Sequence, residues 1–204
     1  MAELTLTTFV TLDGVMQAPG GPQEDTSGGF RHGGWVFPLA DADMGNLIVD
    51  IFGKADAFLL GRGTYDLFAA HWPRVTDPND PVAHRLNTLP KYVASRTRAT
   101  FDWNNTAHVN DVVADVAVLK RTYAREVQVH GSAGLIQTLL EHDLIDEYRL
   151  FVFPVTVGGG KRLFGSGTLP ATFALKQTRI TGSGAVFAAY RRAGPLRTGS
   201  FALE

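Results

Sequence analysis

Short apolar runs of strand length alternate along this chain with stretches whose apolar residues recur at helical spacing. Residues 4–12 are rich in Thr, Val and Leu and predict a strand. Residues 41–52 carry apolar side chains at i, i+3, i+4 and i+7, which predicts a helix with one buried face. The same patterns predict later strands at 57–60, 91–95, 126–130, 147–157, 173–180 and 185–191, and helices starting near Thr64, Asn110 and Ser132.

The order of these elements predicts an α/β fold. Strands that alternate with helices are typical of a mostly parallel sheet covered on both faces, which gives a three-layer sandwich. The last two predicted strands are joined through Gly182-Ser183-Gly184, so the sheet should be mixed and end in an antiparallel hairpin. We expect a single domain over residues 1–193 and a C-terminal tail over 194–204. Residues 17–34 predict a long loop of the kind that often covers a functional site.

Composition narrows the possible functions. Hydrophobic residues make up 45% of the chain and charged residues 19%, which suits a globular domain, and the net charge of −1 provides no overall field for nucleic acid or an anionic membrane. The chain has no cysteine, which excludes disulfides, a thiolate nucleophile and cysteine-ligated zinc. Its six histidines have no metal-binding spacing, so we expect no metal. Without a visible signal peptide or long apolar run, we expect a cytoplasmic protein that acts on a small molecule.

Three turns rich in glycine or hydroxyl residues follow three of the predicted strands. They are Gly61-Arg62-Gly63-Thr64, Ser95-Arg96-Thr97 and Gly131-Ser132-Ala133-Gly134. Ligands of parallel α/β sheets bind beyond the carboxyl ends of the strands, so the three turns should lie along one edge of the sheet. Their convergence predicts one ligand site there.

The chemistry of these turns suits an anion such as phosphate. A helix start presents unpaired N–H groups with a partial positive charge, and glycine lets the backbone approach the anion closely. Arg62 and Arg96 add planar cationic donors. Each turn alone is equally compatible with tight packing of a strand against a helix, and Ser132 with helix capping. The prediction of a phosphate site therefore depends on all three turns together.

The turns also resemble those of a known family. Together with Thr11-Leu12-Asp13-Gly14 and the segment Phe153–Phe164 (FPVTVGGGKRLF), they resemble the dihydrofolate-reductase-like fold. The similarity is greatest to the reductase domain of the bacterial bifunctional riboflavin-biosynthesis deaminase/reductase and to its stand-alone relatives. It extends from about Leu4 to Arg191. The absence of cysteine excludes the zinc deaminase activity of the bifunctional enzyme.

The resemblance implies NADPH as the cofactor and assigns roles to the turns. It implies that Gly61, Arg62 and Thr64 lie near the pyrophosphate and the adenosine ribose. It places Ser95 and Arg96, with Thr97 beside them, at the adenosine 2′-phosphate. The pyrophosphate would be held at a helix start by Gly131, Ser132, Ala133, Gly134 and Leu135.

The residues that would contact the substrate are less well specified. The resemblance places Asp43 near the position of the substrate carboxylate of dihydrofolate reductase, but Asp41 or Asp43 also suits a helix cap. Asp13 is a second candidate for contact with substrate or nicotinamide, although Asp-Gly after a strand is also ordinary turn chemistry. Trp35 is expected near the far end of the loop that covers the nicotinamide. Asp43 and Asp13 are thus the candidate catalytic residues, and water is an alternative donor of the proton that hydride reduction requires.

The sequence thus predicts an NADPH-dependent reductase of a small heterocyclic, carbonyl or imine substrate, similar to 5-amino-6-(5-phosphoribosylamino)uracil reductase. A non-catalytic nucleotide-binding relative, or a protein that binds a pterin, folate-type ligand or flavin, remains an alternative. We expect no nucleic-acid or membrane partner. A homodimer is expected through Val152-Phe153 and the final hairpin, because exposed apolar strands usually need a cover.

Overall fold

The computed structural model describes residues 1–166 and 168–202. Its strands are β1 (Glu3–Thr11), β2 (Ala55–Gly61), β3 (Lys91–Ala94), β4 (Thr106–Val109), β5 (Glu126–His130), β6 (Glu147–Phe153), β7 (Ala171–Ile180) and β8 (Val186–Pro195). Its α-helices are α1 (Ala42–Gly53), α2 (Arg62–His71), α3 (Pro81–Thr88), α4 (Val112–Thr122) and α5 (Ala133–Glu141).

One mixed sheet contains all eight of these strands, in the order β4-β3-β2-β5-β1-β6-β8-β7. The first six strands in this order pair in parallel, whereas β8 runs antiparallel to both β6 and β7. The predicted α/β fold, with a mostly parallel sheet that ends in an antiparallel hairpin, is therefore confirmed.

Alternate residues of the strands separate the core into two layers on opposite faces of the sheet. Leu59 of β2 and Val127 of β5 pack in one cluster with Val116 of α4 and Ile136 of α5. The next residue of β2, Leu60, packs on the other side in a cluster built with α1 and α3. Because side chains of a strand alternate between its faces, helices cover both sides of the sheet.

Two elements are absent from the sequence prediction. Helix α3 begins at Pro81 and is capped by Asp80, whose carboxylate accepts hydrogen bonds from the N–H groups of Val82 and Ala83 at 2.9 Å. Asp followed by Pro is a helix-start signal, and the sequence prediction did not include a helix here. The edge strand β4 has only four residues, too few for a recognisable alternation.

Several predicted boundaries also need correction. Strand β6 ends at Phe153 rather than at Val157, because Pro154 has no N–H to continue the ladder. Helix α4 is capped by Asp111, not by Asn110. Strand β8 continues to Pro195, so the first two residues of the predicted tail belong to the sheet. Phe153 is fully buried inside the chain, which removes it from any dimer surface.

No helix among the described residues has the length and apolarity needed to cross a membrane. Within the same residues, no group of three or more His, Asp or Glu side chains is placed to hold a metal ion.

Candidate functional site

A cavity of about 2200 Å³ opens at the carboxyl ends of β3, β2, β5 and β1. The three predicted turns follow β2, β3 and β5, which are neighbours in the sheet, and all three contribute to its wall. The lining includes every residue predicted to bind the cofactor: Gly61, Arg62, Thr64, Ser95, Arg96, Thr97, Gly131, Ser132, Ala133, Gly134 and Leu135. The structure thus brings these residues together, while their role as cofactor ligands stays a prediction.

Gly61 and Ser132 hold the first and third turns against each other. The Gly61 N–H donates to Ser132 Oγ at 2.8 Å, and Ser132 Oγ donates to Thr64 Oγ1 at 2.6 Å. A Cβ at position 61 would lie only 2.8 Å from Ser132 Cβ and Oγ, so the contact requires glycine. Ser132 itself has a left-handed backbone with φ of 70°, and Gly131 before it has φ of 68°. The hydroxyl predicted to cap α5 therefore ties α5 to α2 instead.

The starts of α2 and α5 differ from those of the other three helices. Asp41, Asp80 and Asp111 cap α1, α3 and α4 by accepting hydrogen bonds from N–H groups of the first turn. No side chain of the described residues caps α2 or α5, and both helices begin at the cavity. Their first-turn N–H groups and the positive ends of their dipoles are therefore available to an anion in the cavity.

The second turn fixes one arginine and leaves another facing the cavity. Ser95 Oγ accepts hydrogen bonds from the N–H groups of Thr97 at 3.3 Å and Arg98 at 2.9 Å, which sets the shape of the turn. The Arg98 guanidinium is held by Asp66 at 2.8 Å. Arg96 is exposed at the cavity wall and has no salt-bridge partner among the described residues. Its charge is therefore available to a ligand.

Asp13 lies outside the cavity lining and has a local structural role. Its carboxylate accepts hydrogen bonds from the Thr11 hydroxyl at 2.5 Å and from the Gly158 N–H at 2.8 Å. The Thr11 hydroxyl is the main reason that the pKa of Asp13 is lowered. Asp13 joins the end of β1 to the loop after β6, and we do not retain it as a proton donor.

Asp43 and Trp35 also lie outside the cavity lining. The Asp43 carboxylate accepts a hydrogen bond from the Gly182 N–H at 3.0 Å, and Asp41 accepts one from the Ser183 N–H at 2.7 Å. Hydrogen bonds to the backbone, first of all that from Met44, lower the pKa of Asp41 to about 2. Trp35 is buried, and its indole N–H donates to the Gln17 carbonyl at 2.8 Å. The two acids join α1 to the β7–β8 hairpin.

The predicted loop 17–34 does border the cavity. Its residues from Gln17 to Asp25 are part of the lining. The buried Gln17 amide organises the loop by donating to the Asp25 and Ser27 carbonyls at 3.0 Å and accepting from the Lys161 N–H at 2.9 Å. The loop is thereby fixed to the segment after β6 rather than extended into solvent.

Thr7 and His130, which were not among the residues predicted from the sequence, form a polar floor of the cavity. The two residues are paired neighbours on β1 and β5. Thr7 Oγ1 is buried and has no hydrogen-bond partner among the described residues. The His130 ring stacks on Phe52 with centroids 4.3 Å apart, and burial lowers its pKa to about 3, so it is neutral near pH 7. A ligand or water at the floor would meet these two uncharged polar groups.

The tautomer of His130 follows from its neighbours. Gln128 Nε2 donates both of its hydrogens, to the Ile51 carbonyl and to Glu126 Oε2, each at 2.7 Å. Gln128 Oε1 must then accept, so the hydrogen on His130 lies on Nε2, which is 3.0 Å away. His130 Nδ1 is left as a hydrogen-bond acceptor. Glu, Gln and His at alternate positions of the predicted strand 126–130 were the sequence signal for this row.

Strand β1 extends beyond the end of its neighbour β5, next to the floor of the cavity. Its pairing with β5 ends at Thr7, whereas its pairing with β6 continues to Thr11. Thr8 and Phe9 therefore border an opening between β1 and the end of β5, and both line the cavity.

Comparison with known proteins identifies relatives along most of the chain. The family described as the RibD C-terminal domain matches residues 2–187. The uncharacterized protein YyaP of Bacillus subtilis (strain 168) is 31% identical over 184 residues, which cover 89% of this chain and 90% of the relative. The uncharacterized protein YwjB of the same organism is 28% identical over 134 residues, 65% of this chain and 72% of the relative.

Solved structures share the fold at lower identity. A protein assigned to riboflavin biosynthesis in Shewanella sp. PV-4 is 20% identical with a TM-score of 0.69, over 94% of this chain and 99% of that protein. The Thermotoga maritima diaminohydroxyphosphoribosylaminopyrimidine deaminase/5-amino-6-(5-phosphoribosylamino)uracil reductase is 15% identical with a TM-score of 0.61, over 94% of this chain but 57% of that enzyme. With the family match across nearly its whole length, the chain belongs to the RibD C-terminal domain family.

Proposed function

We propose that this protein is an NADPH-dependent reductase of a small carbonyl, imine or heterocyclic substrate. Its family includes reductase domains, and the Thermotoga maritima structure with the same fold is named as a uracil reductase. The residues at the carboxyl ends of β2, β3 and β5 suit the phosphate groups of a dinucleotide. The substrate lies on the other side of the nicotinamide in this proposal.

One observation carries the proposal: the two helices without a side-chain cap, α2 and α5, both begin at the cavity. The other three helices have an aspartate at the same position, which would repel a phosphate. A pyrophosphate between Gly61 and Ser132 would accept hydrogen bonds from both helix starts. Arg96 would bind the adenosine 2′-phosphate, which distinguishes NADPH from NADH.

We place the nicotinamide at the opening beside Thr8 and Phe9, next to the floor formed by Thr7 and His130. NADPH, when bound, supplies a hydride to the carbon of a C=O or C=N bond. The oxygen or nitrogen of that bond then takes one proton, which completes a two-electron reduction. Of the proton donors that the sequence suggested, Asp13 and Asp43 do not line the cavity, so we propose water as the source of the proton.

Titration with NADPH tests the proposal directly. Because Trp72 lines the cavity, we expect bound NADPH to quench tryptophan fluorescence. The dissociation constant should be in the micromolar range, which corresponds to a binding free energy of about −8 kcal/mol. A folded protein that binds no NADPH at millimolar concentration would refute the proposed function. An absorption spectrum of the purified protein with bound flavin would favour the flavin alternative.

Arg96→Ala should change the choice between the two nicotinamide cofactors. A charge-assisted hydrogen bond to phosphate contributes about 1.5–3 kcal/mol, so the variant should bind NADPH about 10- to 100-fold more weakly. NADH has no 2′-phosphate, and its affinity should stay within about twofold of wild type by the same reasoning. Arg121→Ala is the matched control, since Arg121 is exposed but does not line the cavity. Equal losses for both cofactors would contradict the assigned 2′-phosphate site.

We also propose a homodimer through the β7–β8 hairpin. Strand β7 is an edge of the sheet, and its Leu175 and Ile180 side chains are 55% and 74% exposed. Unpaired strand edges with apolar side chains favour association. Light scattering at micromolar concentration should give twice the chain mass of 22.1 kDa, and Leu175→Lys should lower it while Val118→Lys on α4 does not. A monomeric wild type would contradict the dimer.

A further inference from the structure

One part of the cavity is an apolar groove that is not lined by the three turns assigned to the cofactor. Helix α1 contributes one wall, and α2 with the turn after it contributes the other. The groove is lined by Met44, Ile48, Val49, Leu67, Phe68 and Trp72. Val49 and Leu67 remain 38% and 40% exposed, although both are large aliphatic residues that face a cavity. Walls of this kind suit an apolar ligand.

The described Lys and Arg side chains that line the cavity either belong to the cofactor turns or are already paired, so none is available to a ligand in this groove. Among the described residues, the Lys and Arg side chains in the lining are Arg62, Arg96 and Lys161. Arg62 and Arg96 belong to the turns after β2 and β3. Lys161 Nζ lies 2.6 Å from Asp25 Oδ2, so its charge is already paired. The groove therefore lacks the arginine or lysine that phosphate recognition normally requires.

The charges at the outer end of the groove are negative. Asp77 and Asp80 line the cavity where α3 begins. The Asp80 carboxylate caps α3, which already uses the N–H groups that could otherwise bind an anion. A phosphate group there would face two carboxylates and would be repelled.

The floor beneath the groove is polar but uncharged. Thr7 offers a hydroxyl, and His130 offers the Nδ1 acceptor of a neutral ring stacked on Phe52. These groups can hydrogen-bond a carbonyl or an amide-like N–H of a ligand. They supply orientation without a charge.

From these observations we infer that the substrate is an uncharged, largely apolar ring compound that carries no phosphate. It lies in the groove between α1 and α2, with its reducible polar group toward Thr7 and His130. The inference rests on the proposed reductase function, because it fills the space that the cofactor turns leave. It implies that 5-amino-6-(5-phosphoribosylamino)uracil, which carries a ribose phosphate, is not reduced by this protein.

A binding series tests the groove. The uncharged fluorescent naphthyl ketone Prodan should bind saturably to the protein loaded with NADP⁺, with a blue shift of its emission. Val49→Asp and Leu67→Asp should each weaken Prodan binding at least about tenfold, because a carboxylate in an apolar site is costly. Val118→Asp is the matched control: Val118 is 48% exposed on α4 and does not line the cavity, so Prodan binding should not change.

NADP⁺ binding, measured by tryptophan fluorescence in the same samples, separates this inference from the proposed function. A wild type that does not bind NADP⁺ would refute the reductase, whereas the Prodan series reports on the groove alone. Equal Prodan affinity in Val49→Asp, Leu67→Asp and wild type would overturn the inference. So would oxidation of NADPH by the wild type with 5-amino-6-(5-phosphoribosylamino)uracil, for which we expect no turnover.

Discussion

Replacing Gly61 with alanine should weaken NADPH binding by about 100-fold or more, a loss near 2.7 kcal/mol. The added Cβ would lie 2.8 Å from Ser132 Cβ and Oγ, closer than real Cβ atoms approach other heavy atoms. Ser132 cannot yield easily, because its hydroxyl bonds both the Gly61 N–H and Thr64 and its backbone is left-handed. The starts of α2 and α5 would move apart, and the anion site between them would lose its shape. Overpacking of this kind also costs about 1–3 kcal/mol of stability.

Gly53→Ala provides the matched control. Gly53 is the last residue of α1, an added Cβ there meets nothing within 4 Å, and the residue does not line the cavity. Calorimetric titration should give the control the affinity of wild type. If Gly61→Ala binds NADPH within threefold of wild type while remaining folded, the pyrophosphate does not lie between the two helix starts.

The three turns were predictable because each depends on short-range sequence. A strand, a glycine or hydroxyl residue and a helix start are local features, and parallel pairing necessarily places them at one edge. The observed sheet order makes β2, β3 and β5, which lead into these turns, direct neighbours. The contact of Gly61 with Ser132 was not predictable, because the two residues are 71 positions apart and their approach depends on the register of β2 and β5.

The contacts of the two predicted acids could not be predicted from the sequence. Asp43 and Asp13 had plausible ligand roles in sequence, but each accepts a backbone hydrogen bond from a residue far along the chain. The partners are Gly182, 139 positions from Asp43, and Gly158, 145 positions from Asp13. A local pattern cannot reveal a partner at that separation. For the same reason, the sequence did not indicate that Thr7 and His130 are neighbours, because their contact depends on the pairing of β1 with β5.

A buried ion cluster lies on the same face of the sheet as His130, and disrupting it should have the second large effect. Arg149 donates to both Glu126 oxygens at 2.7 and 2.8 Å and to Glu147 Oε1 at 2.7 Å. The Arg149 side chain is 5% exposed and each glutamate 11%. Burial alone would raise the pKa of Glu126, but the hydrogen bonds and charge of Arg149 hold it below its usual value. Glu126 also accepts from Gln128, so the cluster supports the His130 side of the cavity floor.

Arg149→Met should therefore destabilise the protein by about 3–5 kcal/mol, since two buried carboxylates lose their common cation. Urea unfolding should show a lower midpoint with an unchanged slope. The partly exposed pair Arg192–Asp143 is the control, and Arg192→Met should cost less than about 1 kcal/mol. Adding Glu126→Gln to Arg149→Met should recover part of the loss by removing one unpaired charge. Equal destabilisation by Arg149→Met and Arg192→Met would contradict this account.

The pH dependence of the Arg149→Met variant provides an independent check on its cause. In the wild type the folded pKa of Glu126 lies below the ordinary value of 4.5, so its stabilisation is present above that pH and is lost on acidification. Without Arg149, burial should raise the folded pKa of Glu126 above 4.5, and the folded state then binds more protons than the unfolded state as the pH falls. The stability difference between wild type and variant should consequently narrow from pH 7 toward pH 4. A difference that stays constant over this range would mean that lost packing, rather than an unpaired carboxylate, destabilises the variant.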